Sequence, residues 1–224
     1  AILIWSCGNE SFGGQDILDM ANFFRAQDPG RVVHYEGCYW CKEWGGCSDV
    51  ESRMYATPTE VREYLENDPQ KPFLLCEYMH DMGNSLGGME SYIRLGEEFP
   101  MYQGGFIWDY MDQALRHTDA LGRSVLGYGG DFADRNTDYN FSGNGIVTAD
   151  GREKPCMQEV RYWYLPKEQR DAWDAANAQT LAAVRPLPTP GYTQDLVITE
   201  GDGAWGVRGE KYELLFSKLH GGPV

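Results

Sequence analysis

The strongest constraint on this chain is an alternation. Continuous apolar runs of strand length take turns with segments of helical period. Residues 2–7 read as a buried strand. Residues 14–27 follow as a helix, with Ile17, Met20, Ala21 and Phe24 on one face. Further strands are predicted over 32–35, 53–55, 72–76 and 104–108. Between them, Thr57-Pro58-Thr59-Glu60 forms a capping box with Pro at the first helical position. A third helix is predicted over 85–98, with Leu86, Met89 and Ile93 in phase. Strand–helix alternation implies parallel βαβ units. Runs that are apolar throughout fit a parallel sheet covered on both faces.

Strand starts lie roughly 20 to 30 residues apart, as in a (β/α)8 barrel, which takes ~250 residues in all. Five strands fit before about residue 110, so the expected fold is α/β, the C-terminal part of a TIM barrel over 1–165. An open doubly wound sheet is the competing reading. It lacks a Gly-rich phosphate loop after any strand. Beyond residue 165 the chain turns polar and Ala-rich, then stiff in Arg185-Pro-Leu-Pro-Thr-Pro-Gly191. Residues 166–192 are therefore expected to be a linker. Runs at 196–199, 206–208 and 212–216 predict a short all-β segment over 193–224, the incomplete start of a β-sandwich domain. The abrupt opening on a buried-looking strand predicts that the natural N-terminus lies upstream.

The chain carries 34 acidic against 19 basic residues, a net charge of −15. That excludes nucleic acid and anionic membrane surfaces as expected partners. No apolar run reaches the ~20 residues of a membrane span. The six cysteines demand no disulfide, which points to a reducing, cytoplasmic compartment. Cys38, Cys41 and Cys47 crowd one loop. They read as free thiols in a variable loop. The alternative is that three thiolates hold Zn²⁺ with His34.

Two strands end alike. Asn9 and Glu10 stand just past the first, and Glu77 stands at the end of the fourth. In a barrel, such strand ends point into one cleft. A pair of glutamates there is what glycoside hydrolysis needs, one protonating the leaving oxygen and the other attacking the anomeric carbon. A retaining enzyme holds the two ~5–5.5 Å apart. Either glutamate alone also fits a helix cap or an ion pair with Arg.

These residues carry a resemblance. Trp5-Ser-Cys-Gly-Asn-Glu-Ser11 resembles the acid/base segment of the large β-galactosidases of glycoside hydrolase family 2. Leu75-Cys-Glu-Tyr-Met-His-Asp-Met-Gly-Asn-Ser-Leu-Gly-Gly88 is similar to their nucleophile segment almost throughout. Gln103-Gly-Gly-Phe-Ile-Trp-Asp-Tyr110 and Tyr128-Gly-Gly-Asp-Phe132 resemble the next two blocks. The resemblance implies hydrolysis of terminal β-D-galactosyl residues through a galactosyl-enzyme intermediate. It implies Glu77 as nucleophile, Glu10 as acid/base, and Asn9 on the sugar 2-OH. Tyr55 matches the tyrosine that supports the nucleophile, His80 a galactose-hydroxyl contact, and Trp108 the aromatic floor. Core packing for Trp108 and a structural imidazole for His80 are the plainer alternatives. The resemblance further implies Mg²⁺ beside Glu10 and Na⁺ on the Phe141 carbonyl and the Asn144 side chain. Their remaining ligands are expected upstream, and the complete protein is expected to be a homo-oligomer. The Cys38–Cys47 loop departs from the family, which has a Gly-rich loop there. The competing functions are a catalytically inactive barrel fragment, binding sugar or packing into an oligomer, and an exo-glycosidase with another sugar preference.

Overall fold

The structure, a computed structural model, describes residues 2–83, 85–183, 197–200, 204–209 and 213–217. Contacts divide the chain into two compact units, Ala1–Arg170 and Asp171–Val224.

The first unit is built on five parallel strands, β1 (Ile4–Ser6), β2 (Val32–His34), β3 (Glu51–Met54), β4 (Phe73–Tyr78) and β5 (Tyr102–Ile107). β1 pairs with β2, and β3, β4 and β5 form a second parallel set in sequential order. Asp49 joins the two sets. Its amide donates to the Val33 carbonyl at 2.8 Å, and its Oδ2 accepts from the Val33 amide at 2.8 Å. His34 then spans three strands, with Nδ1 3.0 Å from Ser6 Oγ and Nε2 2.7 Å from Ser52 Oγ. The result is an arc that does not close among the described residues: β1 pairs only with β2, and β5 only with β4.

β4 is the centre of the core. Phe73, Leu74, Leu75, Glu77 and Tyr78 are all buried, as a strand covered on both faces requires. The helices α2 (Pro58–Glu66) and α3 (Glu90–Glu98) bring Val61, Leu65 and Leu95 against it, and α4 (Met157–Trp163) adds Val160. A second cluster packs Ala21 of α1 (Gln15–Gln27) on Val33, Tyr35 and Cys7. The capping box forms as the sequence predicts. The Glu60 amide donates to Thr57 Oγ1 at 3.3 Å, and the Thr57 amide donates to Glu60 Oε2 at 2.7 Å. α3 begins at Glu90 rather than at residue 85, because Gly88 adopts a φ of +76°.

The stretch after β5 holds more structure than the sequence announces. β6 (Leu115–Thr118) and β7 (Ser124–Gly127) form an antiparallel hairpin. Of the linker expected over 166–192, Lys167–Ala183 forms a helix, α5, and 184–192 lie outside the described residues. In the second unit, β8 (Val197–Glu200), β9 (Ala204–Arg208) and β10 (Glu213–Ser217) form an antiparallel sheet in sequential order. No helix among the described residues is long and apolar enough to cross a membrane.

Candidate active site

The ends of β1, β3 and β4 converge, and the backbone turns sharply at each. Glu10, Tyr55 and Met79 all have positive φ, at 50°, 54° and 54°. Non-Gly residues held there store roughly 1–3 kcal/mol of strain each, the kind of local cost that clusters at functional sites.

Glu77 sits near the end of β4 and is only 8% exposed. A register shift between Arg53 and Met54 pairs Met54 with Glu77. That shift carries Tyr55 to the carboxylate: its amide donates to the Glu77 carbonyl at 2.9 Å and its hydroxyl to Glu77 Oε2 at 2.7 Å. Burial pushes the Glu77 carboxyl above its usual range. The Tyr55 hydroxyl opposes this by stabilising the ionised form, while the negative charges of Glu10 and Glu36 reinforce it. Burial and the same carboxylate also push the Tyr55 phenol upward, so it remains a donor.

Glu10 lies exposed on the turn after β1. Its amide donates to Oε1 of Glu36, a carboxylate that is only 5% exposed. Two cavities meet at Glu36. One, of about 460 Å³, is lined by Glu10, Tyr55 and Glu36 together with Phe12, Tyr39 and Trp40. The other, of about 240 Å³, is lined by Asn9, Glu36 and Glu77. Asn9, Glu10, Tyr55 and Glu77 are thus grouped around one buried carboxylate. Sequence reading overlooked Glu36. Its signal was a charged residue immediately after an apolar strand run, the same signal that picked out Glu77.

A row of rings extends from Tyr55. The His80 ring meets Tyr55 edge-on with centroids 5.7 Å apart, and Phe141 meets His80 at 6.0 Å. Trp108 stands past the end of β5, 37% exposed. Its amide donates to the Tyr78 carbonyl at 3.0 Å, and its carbonyl accepts from the Asp81 amide at 2.9 Å. Trp108 lines neither of these two cavities. Asp109, also missed from sequence, has a carboxyl raised by burial, and its amide donates to the Asn144 carbonyl at 2.8 Å.

Asn144 is 4% exposed, its Nδ2 donates to the Phe141 carbonyl, and its Oδ1 is buried without a hydrogen-bond partner. Amide orientation is assigned from surroundings rather than from the atoms themselves. Turning this amide would bring two oxygens face to face, which a cation, or a water donating to both, between them would satisfy. Two such oxygens, from the Phe141 carbonyl and the Asn144 side chain, are of the kind that a hard ion such as Na⁺ takes. The Mg²⁺ expected beside Glu10 fares differently. No group of three His, Cys, Asp or Glu side chains able to hold a metal occurs among the described residues, so Glu10 and its neighbour Glu36 do not make a ligand set by themselves. The same holds for Zn²⁺ on Cys38, Cys41 and Cys47. Both ring nitrogens of His34 are engaged by serines, and Cys38 Sγ donates to the Trp44 carbonyl at 3.3 Å. Burial and the neighbouring Cys47 push the Cys38 thiol up to about 11, so it stays protonated here.

The family model for glycosyl hydrolases family 2, TIM barrel domain, matches residues 1–168. A β-galactosidase of Halalkalibacterium halodurans is 57% identical over 164 residues, which are 73% of this chain and 16% of that protein. A β-galactosidase large subunit of Latilactobacillus sakei is 61% identical over 166 residues, 73% of this chain and 27% of that protein. A β-galactosidase of Streptococcus thermophilus is 49% identical over 185 residues, covering 73% and 18%. The chain thus spans only 16% to 27% of the length of these relatives.

Proposed function

Because the chain belongs to glycoside hydrolase family 2, through that family's TIM barrel domain, we propose that it carries the catalytic pair of a retaining β-galactosidase. Glu77 is the nucleophile and Glu10 the acid/base. The observation that carries this reading is the buried Glu77 carboxylate, tied to Tyr55 at 2.7 Å and sensing the charge of Glu10.

The chemistry follows from the two environments. Glu77 is fixed by a rigid central strand and by one strong donor, so its oxygens are aimed rather than free. It attacks the anomeric carbon as the Glu10 proton passes to the leaving oxygen. Glu10 then takes a proton from water, which opens the ester and returns Glu77 as a carboxylate. Tyr55 donates to the charged carboxylate and so eases its departure. The 2-OH of the sugar falls to Asn9, which lines the Glu77 cavity. His80, whose ring meets those of Tyr55 and Phe141, would take a hydroxyl of the galactosyl ring, and Trp108 would face its apolar side. Na⁺ on the Phe141 carbonyl and Asn144 Oδ1 would supply a positive contact for a sugar hydroxyl. Mg²⁺ would need ligands beyond Glu10.

Assembly with further chains belongs to the same reading, supported by relatives that are called large subunits. Light scattering on the complete protein measures it. The mechanism is tested by incubating the complete protein with a 2-fluoro-β-galactoside and mapping the adduct. A galactosyl label on Glu77 is the expected result, and a label on another carboxylate, or none, rejects the assignment.

A further inference from the structure

We propose that Asp81 is a positioning residue of the active site: pinned by the Cys156 thiol, it fixes the turn that leaves β4 and so aims the His80 imidazole. This rests on the hydrolase reading above and adds to it what holds the galactosyl contact in place.

Three carboxylates are buried among the described residues: Glu36, Glu77 and Asp81. The first two serve the catalytic pair. Asp81, at 0% exposure, is the most deeply buried of them. A carboxylate out of reach of water is costly unless its oxygens are paired. Both are paired here. Oδ1 accepts the Leu86 amide at 3.1 Å, and Oδ2 accepts the Cys156 thiol at 3.1 Å. Burial, and then the bond to Asp81 and its charge, push that thiol up to about 12. It therefore keeps its proton and stays a donor.

The donor comes from a rigid place. Cys156 belongs to the core cluster around β4 and stands at the start of α4. Three residues on, Oε1 of Glu159 accepts the Met89 amide at 2.8 Å. Residues three apart share a helix face. One face of α4 thus grips the chain after β4 twice, at Asp81 and at Met89.

His80 adjoins the first grip. Its carbonyl accepts the Ser85 hydroxyl at 2.6 Å, and the Asp81 amide donates to the Trp108 carbonyl at 2.9 Å. Its imidazole makes ring contacts with Tyr55 and Phe141 and no hydrogen bond among the described residues. The direction of the ring is set by those two contacts and by its backbone, which Asp81 holds from the next position. In Cys156→Ala, Oδ2 loses its donor in a site closed to water. The carboxylate must then take up a proton or move outward. Either change shifts the turn, and His80 with it.

The test uses the complete protein, with isopropyl 1-thio-β-galactoside as an uncleaved inhibitor of 2-nitrophenyl β-galactoside hydrolysis. Cys156→Ala should raise the inhibition constant ~10-fold, short of the ~100-fold that a full ångström of misplacement costs. Cys156→Ser keeps a donor and should stay within about threefold of the parent. In a His80→Ala background, Cys156→Ala should add less than about twofold, because the group that Asp81 aims is gone. Asp81→Asn keeps the acceptor for Leu86 but sets an amide against the thiol, and it is measured in the same two backgrounds. Equal factors with and without His80 make Asp81 a merely structural residue and overturn the proposal. An unchanged inhibition constant in both Cys156→Ala and Asp81→Asn overturns it as well. No nitrophenol release from the parent protein overturns the hydrolase reading and this role with it.

Discussion

At the scale of single residues, the site is a contest over the charge of Glu77. Burial opposes ionisation, and the Tyr55 hydroxyl supports it. In Tyr55→Phe the supporting bond is lost while burial stays, so the Glu77 pKa moves further up. If Glu77 is the nucleophile proposed above, it must be ionised to attack, so the acid limb of kcat/KM should shift to higher pH, and kcat should fall ~10- to 100-fold, in line with a charged hydrogen bond of about 1.5–3 kcal/mol. A pH profile of galactoside hydrolysis by the complete protein measures both. Glu36 acts on the other partner. Its Oε1 accepts the Glu10 amide and so holds a residue at positive φ. In Glu36→Ala the proposed acid/base should drift, and kcat/KM for lactose should fall by about 100-fold, as a displacement of ~1 Å does. An activated leaving group needs no proton. The same variant should therefore lose far less on 2,4-dinitrophenyl galactoside, and equal losses on both substrates would reject the positioning role. The glutamates at 10 and 77 were legible because each follows an apolar strand run. The bond from Glu36 was not, because it depends on a left-handed turn at Glu10 that no glycine announces.

At the scale of elements, the sequence was clearest where one physical rule dominates. The capping box at Thr57 and Glu60 set the start of α2, and each of the five segments read as strands overlaps a parallel strand, most clearly the apolar runs of β1, β2 and β4. It was silent where several weak terms balance. The β6 strand, Leu115-Arg-His-Thr118, is mostly exposed and mixes polar with apolar residues, so it lacks the alternation of a half-buried strand. The α4 helix has 7 residues, too few for a period to show. Gly105 of β5 is a clearer case of packing that pattern cannot reveal. A Cβ there would lie 2.8 Å from Leu75 Cβ and 3.1 Å from Tyr78 Cδ1, both on β4 and both fully buried side chains. Gly105→Ala must therefore push β5 from the strand that carries Glu77. Overpacking of this kind costs about 1–3 kcal/mol. Urea denaturation should show that loss, and Gly122→Ala, which meets no atom within 4 Å but has a φ of +78°, separates backbone strain from crowding.

At the scale of the whole molecule, the arc of five strands was legible from spacing and its open edges from strand count. How the first unit finishes was not. Arg170 is 6% exposed although it follows a polar stretch that reads as the beginning of a linker. It donates to the Trp163 carbonyl at 3.1 Å and the Leu165 carbonyl at 2.9 Å, pairs with Glu97 of α3, and lies 5.1 Å from the Trp163 ring centroid. One side chain thus satisfies carbonyls at the end of α4 and ties that end to α3, which packs on β4 and β5. The need for it arises because a helix terminus leaves carbonyls unpaired, and burying them without a donor is costly. Arg170→Met keeps the apolar stem and removes every donor. It should cost roughly 2–4 kcal/mol, since it strands two carbonyls and the partly buried carboxylate of Glu97. Glu97→Gln, which leaves both carbonyl bonds in place, should cost less than half as much. Chemical denaturation of the two variants decides the point: if Glu97→Gln is as damaging as Arg170→Met, the ion pair and not the carbonyl anchoring is what closes the unit.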